Sequence, residues 1–269
     1  MPAALSSPAN TMFMTLHGWL KHHSWWEANS HEMDAYSLFV ARTSAMRLLA
    51  DARQGDSGGA WGMNDAGEAA NGESSPAPIA WFQVSWSDSV PVDRPIPAQP
   101  FLNCVGDVLD RIGEVRVETV QLVLPLQSLI TTGGTPQYPT ARTFRLAQDA
   151  GWFADINPRE RRPIRVTIDS GRDPAIQAAA SGMQETMAGF RHSAFVCDSY
   201  SLSQHDPLAA RSPVVDQLWN GPPQHRVSFT GVLAEWSLNA IGWMAAFLSD
   251  TANRHGISTP ILLTVSGTG

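Results

Sequence analysis

The chain has 269 residues and a formal net charge of −7, and 43% of it is apolar, with 10 Trp and 10 Phe. So much apolar surface can bury a core, which excludes a globally disordered chain. The acidic balance, with no run of like charges, argues against a nucleic-acid groove or an anionic membrane surface as partner. Lys21 is the only lysine, a usage expected of a GC-rich, bacterial genome. Cys104 and Cys197 form no CxxC pair and are expected as free thiols of a reducing cytosol. The first residues lack the basic start and apolar core of a signal peptide. No stretch approaches the roughly 18 uninterrupted apolar residues of a membrane span. The expectation is a cytoplasmic protein.

In chain order, residues 1–10 read as a loose tail and 11–20 as a strand. Residues 30–53 place Met33, Leu38, Phe39, Met46 and Leu49 near helical spacing, with Ser30 as N-cap. The stretch 54–78 turns to Gly, Ser, Asn, Asp and Glu and reads as a mobile, dispensable loop. A strand over 79–87 follows, then a helix over 101–112 with Phe101, Val105, Val108, Leu109 and Ile112 on one face. A strand over 114–124 closes this part.

Residues 163–170, 174–190 and 193–202 read strand, helix, strand. Residues 225–236, 238–255 and 260–266 repeat that pattern. Phe195, Val227, Phe229, Leu233, Ile241, Leu248 and Leu263 are expected in the core.

The expected fold class is α/β, an α+β sandwich of tandem ferredoxin-like βαβ units whose first half is degenerate. The halves span 1–126, containing the loop 54–78, and 163–269, joined by a turn-rich connector over 127–162. No residue-level repeat accompanies the duplication, and a single sandwich on one continuous sheet is the alternative.

P-loop, GxGxxG, HExxH, GxSxG and paired CxxC motifs are absent, and no cofactor or metal is expected. His23, Glu27 and His31 would share a helix face, yet the two histidines would lie roughly 12 Å apart along it. His225 and Glu235, on one strand, would be about 33 Å apart.

Topology supplies the best constellation. If the first and third strands of the second half are parallel neighbours, Asp169 and Glu235 end side by side as an acid–base pair. Arg172 would add a forked donor and Trp236 an apolar platform, beside helices capped by Asp173 and Ser237. The matching edge of the first half would hold His17 and Trp19 beside Trp86 and Asp88, a His–Asp pair walled by tryptophan. The catalytic candidates are therefore Asp169, Glu235, His17 and Asp88; the substrate-binding candidates are Arg172, Trp236, Trp86 and Trp19.

Two functions are carried forward. One is a cofactor-independent enzyme or binder acting on a small organic molecule in an aromatic-lined groove. The other is a non-catalytic protein-interaction, assembly or inhibitor module.

Overall fold

The computed structural model describes residues 10–29, 33–50, 59, 61–68, 77–85, 93–129, 138–190, 192–202 and 219–268. Its strands are β1 (Thr11–His22), β2 (Met63–Glu68), β3 (Ala77–Ser85), β4 (Gly113–Leu124), β5 (Arg162–Asp169), β6 (Phe195–Ser201), β7 (Arg226–Leu233) and β8 (Ile261–Gly267). They form one sheet in the order β2-β3-β1-β4-β8-β5-β7-β6. Every neighbouring pair is antiparallel. The helices are α1 (Ser24–Asn29), α2 (Ala35–Ala45), α3 (Ala98–Ile112), α4 (Tyr138–Ala150), α5 (Ala175–Gly189) and α6 (Leu238–Arg254). The class is mixed α+β on an eight-stranded antiparallel sheet.

Strand residues alternate between faces, so one parity in each strand meets the helices. Met12, Met14 and Leu16 of β1, Val120 and Leu122 of β4, and Val166 and Ile168 of β5 take that side. They join Phe101, Val105, Ile241 and Leu248 in the main buried cluster. The seven residues expected in the core are all buried. The other parity places Phe13, Val123 and Leu262 against Trp219 in a second cluster on the far face.

Three expectations need correction. The first half lacks no strand, because β2 lies within the stretch read as a mobile loop. Its sequence, MNDAGE, has almost no apolar alternation to announce it. Pairing with β3 holds it, helped by the Asn64 side-chain amide donating to Thr43 Oγ1 on α2. Trp61, just ahead of it, is 1% exposed and meets Phe101 edge-on at 6.4 Å. Residues 51–58, 60 and 69–76 of this region lie outside the described residues.

The second correction is the helix expected over 30–53. It is α2, capped by Asp34, whose carboxylate accepts from Ser37 N at 2.7 Å; Ser30 lies outside the described residues. The third is α4, a helix where only a connector was expected.

Deleting residues 56–75 is therefore expected to destabilise the protein, since it removes a paired strand and a buried indole. The melting temperature should fall by more than about 5 °C. An unchanged melting curve would restore the dispensable-loop reading.

Candidate functional site

The expected acid–base pair does not form. β5 and β7 are antiparallel, so Asp169 pairs in register with Arg226, while Arg162 pairs with Leu233. Glu235, two residues beyond Leu233, lies at the other end of the sheet, past the roughly 24 Å that separates Asp169 from the Arg162–Leu233 pair at about 3.4 Å per residue. The parallel geometry was the faulty step: a strand-helix-strand-strand path reverses the third strand relative to the first.

Asp169 is buried and holds three donors. Arg226 Nε reaches its Oδ2 at 2.6 Å, and the backbone N–H groups of Gly171 and Gln224 reach Oδ1 at 2.7 and 3.3 Å. Burial pushes the carboxyl's pKa up, while these donors pull it down. Gly171 sits at φ +64°, and a Cβ there would collide with the Asn220 carbonyl. Arg172 is exposed, and its backbone N–H donates to that same carbonyl at 2.9 Å. The group closes a turn, with the carboxylate as its centre.

Glu235 accepts from Ser237 Oγ at 2.6 Å, and Ser237 Oγ in turn accepts from Ala240 N at 3.1 Å, capping α6 as the sequence indicates. In the first half, Trp86 and Asp88 lie outside the described residues. Ser85, the last described residue before them, pairs with Thr11, whereas His17 pairs with Pro78 at the far end of β3. His17 is buried, with Nε2 at 3.1 Å from Gln121 Oε1. Trp19 is 51% exposed.

His17 borders a row of buried polar side chains that the sequence reading missed. Thr15, Gln121, Thr264, Thr167 and Ser228 stand opposite one another across β1, β4, β8, β5 and β7. Gln121 donates to Thr264 at 3.4 Å, and Thr167 and Ser228 bond at 2.9 Å. Alternation signals an outward parity for these residues, but it does not distinguish a buried far face from a wet one.

The concave surface lies elsewhere. A groove of about 720 Å³ is floored by Asn103, Gly106, Asp107 and Asp110 of α3 and bounded by Arg42 of α2 and its C-cap Met46, Val115–Val117 of β4 and Trp236–Asn239 at the start of α6. Among the described residues, Trp236 is the one expected site residue that lines it; its indole N–H donates to the Val117 carbonyl at 2.8 Å, which fixes the ring as a wall. Arg42 Nε donates to Asp107 Oδ2 at 2.6 Å. Asp110 is exposed, and no cation pairs with it among the described residues. The amides of Gln99 and Asn239 meet at 2.8 Å where α3 crosses α6. Sequence alone carried a faint signal for this site: Asn103, Gly106, Asp107 and Asp110 form a polar stripe opposite the apolar face of α3.

The same stripe on α6 is covered. Trp243 donates to the Leu146 carbonyl of α4 at 3.0 Å, and Asp250 accepts from Arg142 of α4 at 2.6 Å. Arg145 of α4 reaches Asp93, just ahead of α3, at 2.8 Å. His192 completes the cover, with ring centroids 4.7 Å from Trp243 and 5.0 Å from Phe247, and its Nδ1 accepts from Phe195 N.

Burial pushes the His192 imidazole down from 6.5 to about 4. The folded state therefore holds the ring neutral where the unfolded chain would protonate it. Stability from this site is complete above about pH 6.5 and is lost as pH falls towards 4, by at most about 3 kcal/mol. His192→Gln should flatten the fall in melting temperature over that window; identical pH profiles would contradict the assignment.

Among the described residues, no three His, Cys, Asp or Glu side chains are grouped to hold a metal ion, and no helix is long and apolar enough to cross a membrane. His22 and Glu68 pair at 2.8 Å. Cys104 and Cys197 are free, and burial pushes each thiol up to about 11. No family model, curated protein or solved structure matches this chain.

Proposed function

We propose that this chain is a binding protein made of two tandem ferredoxin-like halves, and that its ligand occupies the groove between α3 and the start of α6. The strand order supports the duplication. The first half runs β2-β3-β1-β4 and the second β6-β7-β5-β8, the same order built from the same strand-helix-strand-strand-helix-strand path. The halves, 1–126 and 163–269, abut through β4 and β8. Gln99 and Asn239, each the second residue of its helix, bond across the crossing as an approximate twofold relation requires.

One observation carries the functional reading: charge, amide and indole groups converge on a concave surface whose volume falls within the roughly 300–1,000 Å³ of ligand sites. The acid–base candidates support it by contrast. Asp169 serves Arg226, Glu235 serves a helix cap, and His17 serves Gln121. A small organic molecule and a segment of a protein partner are the two occupants the groove's chemistry suits.

Thermal-shift screening of polar aromatic fragments tests this reading, comparing the protein with Gly106→Trp. The nearest atom to a Cβ at Gly106 is Leu238 Cδ1, at 3.7 Å, so the larger side chain can enter the groove without striking backbone. Fragments should stabilise the native protein and lose their effect on the variant. Equal stabilisation of both would place the ligand elsewhere and overturn the reading.

A further inference from the structure

The two halves share a path but not a surface. Counted from Ala98 and Leu238, the α3 residues Asn103, Gly106, Asp107 and Asp110 stand where α6 has Trp243, Ala246, Phe247 and Asp250. The α6 set is buried, none more than 3% exposed. In the α3 set, Asn103 and Asp110 are exposed and the other two half-buried. The difference is α4, a helix of the connector that packs on the second half's stripe.

The position of α4 can be stated in terms that carry over. It lies between the outer face of α6 and the stretch leading into α3, gripping Asp250 with Arg142 and Asp93 with Arg145. The groove lies between the outer face of α3 and the stretch leading into α6, which carries Glu235, Trp236 and Ser237. It is the mate of α4's seat under the relation that exchanges the halves. Asp110 occupies the position of Asp250; an acidic residue precedes each helix, Asp93 five residues before Ala98 and Glu235 three before Leu238.

We infer that the groove receives an amphipathic α-helix of a partner protein, which lies on α3 as α4 lies on α6 and places a cationic side chain on Asp110. The inference rests on the groove reading above and names its occupant. Charge supports one cationic side chain, placed at Asp110. Asp107 is neutralised by Arg42, and Asp110 is the lining carboxylate without a described cation; the second lining arginine, Arg116, is 80% exposed, only 3.9 Å from Glu118, and leaves the groove charge-balanced as a whole. Apolar contact is available from Met46, Leu109, Val115, Val117, Trp236 and Leu238, suited to anchors at helical spacing. The chain's own α4 shows the required pattern: Arg142 and Leu146, one turn apart, face α6, with Arg142 beside Asp250 and Asn253.

The test uses the full chain and a display library of 13-residue helical peptides, the length of α4. Selection should enrich amphipathic helices that carry Arg or Lys on the bound face. Asp110→Asn should weaken the selected peptides at least about tenfold, and Gly106→Trp or Asn103→Trp should abolish binding while circular dichroism stays native. Replacing the peptide's cation with Glu should lose binding to the native chain and restore it to Asp110→Arg. Failure to enrich helices, or equal affinity for the native chain, Asp110→Asn and the blocked variants, would overturn the inference. If fragments still stabilise the native protein and not Gly106→Trp, the helix proposal alone falls. If they stabilise both equally, the groove reading falls with it.

Discussion

Asp169→Ala should destabilise the protein by about 3–5 kcal/mol, measured by urea unfolding at pH 7. The carboxylate is buried beneath the turn that joins β5 to α5, and Arg226, itself 7% exposed, makes its ion pair there. Truncation leaves a buried guanidinium without its carboxylate and removes the acceptor for Gly171 and Gln224. That is why breaking a buried pair costs far more than the pair contributes. Replacing both partners by leucine should recover much of the loss, because no uncompensated charge then remains. A change below about 1 kcal/mol for Asp169→Ala would mean that the group is free for other chemistry, as the sequence reading supposed.

Phe229→Ala should cost a comparable amount, about 3–5 kcal/mol. Phe229 is fully buried on β7, between β5 and β6, and its ring lies 6.2 Å from Tyr200. It projects from a strand paired on both sides, so the backbone has little room to collapse into the cavity. The midpoint of urea unfolding should shift with an unchanged slope. A loss below about 1 kcal/mol would contradict the facing assigned to β7.

The elements with strong alternation or helical spacing were legible in the sequence. The strand 114–124 is β4, the helix 238–255 is α6 and the strand 260–266 is β8, each to within one or two residues. The elements that tertiary contact creates were not. β2 has only Met63 and Ala66 as apolar residues, and it exists because β3 and α2 flank it. α4 begins YPT behind a glycine- and proline-rich stretch, and it leaves Phe144 exposed while burying Arg142. A reader of pattern alone sees a connector there, because the residue that anchors the helix is charged and its partner, Asp250, lies on a distant helix.

Local readings of the site fared the same way. Ser237 as a cap follows from neighbouring residues and is observed, whereas Trp236, expected as a platform beside Asp169 and Glu235, lines the α3 groove instead. Asp169 beside Glu235 needed the correct strand direction, which alternation does not encode: a parallel and an antiparallel strand show the same parity. With β5 and β7 antiparallel, the register brings Arg226 opposite Asp169, and the charge pair follows. The groove was legible only as the polar stripe of Asn103, Gly106, Asp107 and Asp110; that this face stays open depends on where α2, β4 and the start of α6 pack around it.

The most direct test of the central claim, that ligand meets this protein on α3 rather than at the Asp169 end of the sheet, is an amide chemical-shift map of the full chain. It would be recorded with a stabilising fragment or a selected helix at saturation. The account predicts shifts concentrated at Asn103, Gly106, Asp107, Asp110, Val117 and the indole N–H of Trp236, with Gly171, Arg172 and Arg226 unmoved. Shifts gathered around Gly171 and Arg226, with the α3 stripe silent, would contradict it.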